Sequence, residues 1–85
     1  MARIIDSEQL NLIGKKVKQA RKRLKISQKQ LADRLETEAV YICRGSISRI
    51  ESGDRTVTDI EVAGLSKVLM VPINELFPAD AGFQK

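Results

Sequence analysis

The sequence has few of the residues that build metal sites, disulfides and large aromatic cores. It contains no histidine and a single cysteine, Cys43, so an internal disulfide and a zinc site with the usual ligand set are both excluded. Tryptophan is absent, and the aromatic residues are Tyr41, Phe77 and Phe83. The core must therefore be built from leucine, isoleucine, valine and alanine, and no metal or cofactor is expected.

Long apolar segments are also absent. No run approaches the roughly 18 apolar residues that would span a bilayer, and the first six residues lack the apolar segment of a signal peptide. We therefore expect a cytoplasmic protein that makes no membrane contact. Without histidine, only scattered carboxylates are available for acid or base catalysis, so neither an enzyme nor a small-molecule ligand is expected. The length of 85 residues, with 42% hydrophobic and 31% charged residues, suits one globular domain.

The net charge of +4 is unevenly distributed along the chain. Residues 1–30 contain nine of the fifteen basic residues but only two of the eleven acidic ones. Such a basic region favours a polyanionic partner. A solvated, lysine-rich helix would explain the same charge equally well.

Apolar spacing and capping patterns predict five helices. The first spans about residues 11–24, with Asn11 as its N-cap and Ile13, Val17, Ala20 and Leu24 on one face. Ser27 and Gln30 form a capping box that opens the second helix. A short third helix should start near Cys43 or Arg44 and end at Gly53, with Ile47 and Ile50 buried.

The remaining predicted elements follow from similar signals. Thr58 and Glu61 form a second capping box, which opens a fourth helix that ends before Pro72. Residues 73–77 form a final short helix, which is stopped by Pro78. Residues 39–42 are apolar, and we interpret them as a buried connection rather than a strand.

Several of these segments together resemble the phage-repressor/Cro-like (XRE-type) helix-turn-helix family. They are Ile13-Gly14 with Val17 and Arg21, Ser27-Gln28-x-x-Leu31-Ala32, Ile47-Ser48-Arg49-Ile50-Glu51-x-Gly53, and Leu69-x-Val71 with Leu76-Phe77. The resemblance implies an all-α, compact five-helix bundle over residues 11–77, flanked by short tails at 1–10 and 78–85. It also implies a transcriptional regulator that binds double-stranded DNA. The chain departs from the family at residues 36–42, where the turn between the second and third helices is extended.

The resemblance makes the third helix, from about Arg44 to Ser52, the one that enters the major groove. Its exposed face would carry the base-reading residues Arg44, Gly45, Ser48 and Arg49. Arginine can bind guanine O6 and N7 through two hydrogen bonds, serine can donate or accept, and glycine allows close backbone approach. Alternatively, the two arginines are only solvated.

Phosphate contacts are expected where free backbone N–H groups and basic or hydroxyl side chains meet. Gln28 and Lys29 begin the second helix, whose N-terminus attracts anions. Arg55 and Thr56 match loop positions that contact the DNA backbone in relatives. These contacts would position the protein without reading sequence.

Two further interpretations concern the third helix. The resemblance pairs Arg21 with Glu51 as a partly buried ion pair that fixes the angle of this helix; the alternative is two independent surface charges. Cys43 falls at the helix N-cap. It is interpreted as a small apolar residue there, with a redox or alkylation switch as the alternative.

One domain of this size reads too few base pairs to select an operator, so a homodimer on palindromic DNA is expected. The predicted dimer surface is the fifth helix and the tail, with Ile73, Leu76, Phe77 and Phe83. Alternatively, the first three of these residues cover the core. A rival function is an antitoxin or protein–protein adaptor that binds DNA secondarily. It is disfavoured because only residues 78–85 are left for wrapping a partner.

Overall fold

Between residues 9 and 79 the chain folds as five α-helices. The computed structural model describes residues 9–79, and this range contains no β-strand. The helices are α1 (Gly14–Arg23), α2 (Gln28–Glu36), α3 (Arg44–Ser52), α4 (Asp59–Leu69) and α5 (Ile73–Leu76). The all-α, five-helix prediction is therefore confirmed. Within the described range, no helix is long and apolar enough to cross a membrane.

Both predicted capping boxes are present. At the start of α2, the Gln30 backbone N–H donates to Ser27 Oγ at 3.0 Å, and the Ser27 N–H donates to Gln30 Oε1 at 2.8 Å. At the start of α4, Thr58 and Glu61 exchange the same two hydrogen bonds at 3.2 and 3.0 Å. Each box satisfies two N–H groups that a helix start would otherwise leave unpaired.

The start of α1 differs from the prediction that Asn11 is its N-cap. The N-cap is Ile13, and the helix begins at Gly14. Asn11 still serves the helix start, because its Oδ1 accepts from the backbone N–H groups of Ile13 at 3.1 Å and Gly14 at 2.8 Å. The asparagine side chain closes a turn ahead of the helix instead of entering it.

Several helices end in the left-handed backbone region. Gly53, with φ of 84°, ends α3 as predicted. Non-glycine residues take positive φ after the other long helices, at Lys25, Ala39 and Met70. Glycine is the usual residue in this region because it has no Cβ atom. These three endings use other residues, so the sequence contains no glycine that would mark them.

The core is aliphatic and joins all five helices. Helix α3 packs against α1 and α2, while α4 packs against α1, α2 and α5. The fully buried large side chains are Ile13, Val17, Leu31, Leu35, Ile47, Ile50, Leu65, Leu69 and Leu76. The predicted stripes of α1 and α3 are therefore on the inside, and α3 is held on two sides by neighbouring helices.

The extended turn packs against α4. Val40 and Ile42 are buried, and Tyr41 between them is 74% exposed. Val40 occupies the space beside Gly64, where an added Cβ would lie 2.7 Å from Val40 Cγ2. The Lys67 Nζ atom lies 2.9 Å from Glu38 Oε1 and adds an ion pair between α4 and the turn. The extra residues thus cover α4, as expected of a buried connection, except that Tyr41 points outward.

The predicted dimer surface needs correction. Leu76 is fully buried in the single chain and Phe77 packs partly against the core, so Leu76 cannot contact a second copy. Both lie where α5 packs against α1 and α4, so they complete the core of the single chain. Ile73 is 48% exposed. Phe83 lies outside the described residues.

Candidate nucleic-acid interface

The outer face of α3 presents two arginines to solvent. Arg44, Gly45, Ser48 and Arg49 are all exposed, while Ile47 and Ile50 face the core. Among residues 9–79, neither Arg44 nor Arg49 has a side-chain hydrogen-bond or ion-pair partner. The space where a Cβ of Gly45 would lie is open. This face therefore presents arginine N–H donors that have no partner within residues 9–79, and at Gly45 it presents backbone that no side chain covers.

A bidentate ion pair joins α1 to α3. Arg21 Nε donates to Glu51 Oε2 at 2.7 Å, and Nη2 donates to Oε1 at 3.0 Å. The side chains are only 11% and 4% exposed. Arg21 Nη1 also donates to the Ile26 carbonyl at 2.9 Å. These hydrogen bonds to Glu51 raise the pKa of Arg21 above its ordinary value. The two residues are not independent surface charges.

Gln28 connects α2 to the Arg21–Glu51 ion pair. Its Nε2 donates to Glu51 Oε1 at 3.1 Å, so one carboxylate accepts from two other helices. Gln28 is half-buried at the first position of α2. A shallow cleft beside it is lined by Arg21, Ser27, Gln28, Lys29 and Arg44. The N-terminal ends of α2 and α3 therefore meet at one place, next to the ion pair.

The loop after α3 is stabilised by a second bidentate ion pair. Arg55 Nη1 and Nη2 donate to the two carboxylate oxygens of Glu61 at 2.9 and 3.0 Å, and Nη1 also donates to the Thr56 carbonyl. The hydrogen bonds from Arg55 hold the pKa of Glu61 below its ordinary value, and those to Glu61 raise the pKa of Arg55. The charge of Arg55 is thus largely compensated by Glu61 in the first turn of α4, which the sequence did not indicate.

The other predicted phosphate contacts are exposed. Lys29 Nζ lies 3.2 Å from Asp33 Oδ2 in a solvent-exposed pair one turn along α2. Such an exposed ion pair contributes little to the stability of the fold and separates easily. The lysine therefore remains available to another anion. The Thr56 side chain is also exposed, on the loop that Arg55 holds.

The N-cap of α3 is Cys43, as predicted, and its side chain caps no backbone N–H. The exposed thiol lies 3.5 Å from the Ser46 hydroxyl. This side-chain hydrogen bond lowers the pKa of Cys43 from its ordinary value.

Asn11 is a positioning residue that the sequence reasoning only partly found. In addition to its bonds at the start of α1, its Nδ2 donates to the carbonyls of Ile50 at 3.1 Å and Arg55 at 2.8 Å. A Cβ on Gly14 would collide with the Ile50 carbonyl oxygen, so α1 begins in direct contact with α3. One amide therefore ties α1 to the end of α3 and to the following loop. These partners are 39 and 44 residues away in sequence, so no local pattern indicates them.

Comparison with known proteins gives a consistent result. A family model described as helix-turn-helix matches residues 17–76. This range begins within α1 and ends with α5, so it includes the Arg21–Glu51 pair and all of α3. Among curated proteins, none matches the sequence.

Solved structures with this fold include three similar ones. The restriction-modification controller protein C.AhdI from Aeromonas hydrophila is 25% identical, with 76% of this chain and 87% of that chain covered and a TM-score of 0.67. The P22 c2 repressor, solved in complex with a synthetic operator, is 26% identical, with 81% and 97% covered and a TM-score of 0.69. The DNA-binding domain of BldD is 27% identical, with 87% and 100% covered and a TM-score of 0.68.

Proposed function

The chain belongs to the helix-turn-helix family, and from that membership we propose that it is a transcriptional regulator that binds double-stranded DNA sequence-specifically. The observation that carries the proposal is the exposed face of α3, where Arg44 and Arg49 have no side-chain partner within residues 9–79. The similar structures support it, since they are a repressor in complex with a synthetic operator, a controller protein and a DNA-binding domain. The DNA-binding domain spans residues 11–77.

Base readout comes from α3 inserted in the major groove. Arg44 and Arg49 bind guanine edges, and Ser48 between them adds a donor or acceptor. Gly45 lets the start of the helix approach the bases closely, which the open space beside it favours. Because α3 is short and polar outside, its angle depends on Ile47 and Ile50 and on the buried pair with Arg21.

Backbone contacts flank this helix on both sides. Gln28 and Lys29 bind a phosphate at the N-terminus of α2. Arg55 and Thr56 bind another from the loop after α3. The hydrogen bond from Gln28 to Glu51 fixes the side chain before DNA binds, which lowers the entropy lost on binding. A transcriptional regulator of this kind works on DNA in the cytoplasm and needs no catalytic group, cofactor or small-molecule ligand.

Arg49→Ala and Arg44→Ala should each weaken binding to the preferred site by about 1–3 kcal/mol and relax preference at one base pair. The preferred site is first selected from a random duplex pool, and binding of each variant is then measured on that site and on single-base variants of it. Gln28→Ala is the matched control, because loss of a phosphate contact weakens all sequences about equally. If Arg49→Ala leaves both affinity and base preference unchanged, α3 is not the reading helix.

Two copies bind a palindromic operator, with half-sites about one helical turn (roughly 34 Å) apart. A single domain reads only a few base pairs, so pairing is needed to distinguish an operator from competing sites. Ile73 remains available to such a contact, since nearly half of it is exposed. Footprinting together with sedimentation of the complex should show two protomers on a repeated half-site. One protomer on a non-repeating site would refute the dimer.

A further inference from the structure

The surface around α3 has fewer free positive charges than its sequence suggests. Two of its five cations are held in ion pairs that are largely shielded from solvent, Arg21 with Glu51 and Arg55 with Glu61, while Lys29 shares only an exposed pair with Asp33. Of these five, Arg44 and Arg49 have no carboxylate partner within residues 9–79. Attraction of DNA depends on charges that neutralise phosphates and release counterions. Among the proposed contacts, that attraction therefore rests mainly on Arg44, Arg49 and Lys29.

Helix α1 carries further positive charge. This helix contains no acidic residue. Its exposed cations are Lys15, Lys16, Lys18, Lys22 and Arg23. None of these five forms an ion pair or side-chain hydrogen bond with any residue in the range 9–79. The proposed DNA contacts use none of them.

Two sides of α1 can be distinguished by position around the helix. Arg21 points toward the cleft at the start of α2 and α3. With about 100° between successive residues, Lys18 lies roughly 60° and Lys22 roughly 100° from Arg21 around the axis. Lys16 and Arg23 lie about 140° and 160° from Arg21. They line the groove between α1 and α5 instead. Lys18 and Lys22 are therefore the cations of α1 nearer the cleft.

We propose that Lys18 and Lys22 bind phosphates of the same DNA duplex, beyond the contact made at the start of α2. This extends the proposed function and rests on it. A duplex backbone that passes Gln28 and the cleft continues toward the α1 side that bears these two lysines. Lysine is a flexible point charge suited to phosphate, so the contact adds affinity on every sequence and no base preference.

The test compares two variants with the same change in charge on the same helix. K18Q/K22Q removes the proposed contacts, and K16Q/R23Q removes two cations from the side facing α5. Binding of each full-length protein to its selected site and to a random duplex is measured over a range of salt concentrations. All four side chains are exposed, so thermal melts should be alike and should verify that both variants are folded.

We expect K18Q/K22Q to make the slope of log affinity against log salt shallower by about 2, since each lost phosphate contact removes about 0.9. K16Q/R23Q should change the slope much less, and neither variant should change the ratio of specific to random binding. Equal changes in both variants would show a general effect of net charge and overturn the proposal, as would no change in K18Q/K22Q. Absence of DNA binding by the unaltered protein would overturn the proposed function itself.

Discussion

Glu51→Gln should lower the free energy of unfolding by about 3–5 kcal/mol, the usual loss when one partner of a buried ion pair is removed. The substitution keeps the shape of the side chain but leaves the Arg21 guanidinium with no carboxylate beside it. Arg21 and Glu51 are both nearly inaccessible to solvent, so water cannot replace the lost partner. For a domain of this size, the loss would be a large part of a total stability of about 5–15 kcal/mol.

Urea unfolding followed by circular dichroism measures this loss. Asp33→Asn is a suitable control, because it removes the carboxylate of an ion pair that is exposed on both sides and should cost under about 1 kcal/mol. DNA affinity should also fall for Glu51→Gln under conditions where the variant is folded, because Glu51 holds both Arg21 and Gln28. Equal stability losses in the two variants would show that the buried pair has no special role.

DNA affinity should fall steeply with salt, with a slope of log affinity against log salt near −4 to −5 for about four to six phosphate contacts. Raising the salt fourfold, from about 50 to 200 mM, would then weaken binding by roughly 250- to 1,000-fold. The exposed Lys29 and the proposed contacts of Lys18 and Lys22 would release counterions. Arg55 should contribute less, because Glu61 already neutralises it.

Fluorescence anisotropy of a labelled duplex at five or more salt concentrations gives the slope directly. A random duplex of the same length serves as control and should show a similar slope with weaker affinity, since phosphate contacts do not depend on sequence. A slope near zero on both duplexes would contradict DNA binding by this surface.

Local interactions were readable from the amino-acid sequence. Ser27 with Gln30 and Thr58 with Glu61 cap their helices through residues three positions apart, so spacing alone indicated both helix starts. Gly53 marked the end of α3 because the left-handed conformation favours glycine. Apolar residues at helical spacing identified the buried faces of α1 and α3, and the resemblance of these segments identified the family.

Only the tertiary structure decided how those helices meet. Gln28 donates to Glu51 from 23 residues away, and Asn11 reaches carbonyls 39 and 44 residues away; the geometry of helix packing determines these contacts. Arg55 was expected to contact phosphate, and the structure adds an ion pair with Glu61 that the sequence did not indicate. Leu76 was assigned to a dimer, but the short α5 buries it. In each case the sequence specified a side chain's chemistry, while its partner and its burial depended on long-range packing, which local spacing does not encode.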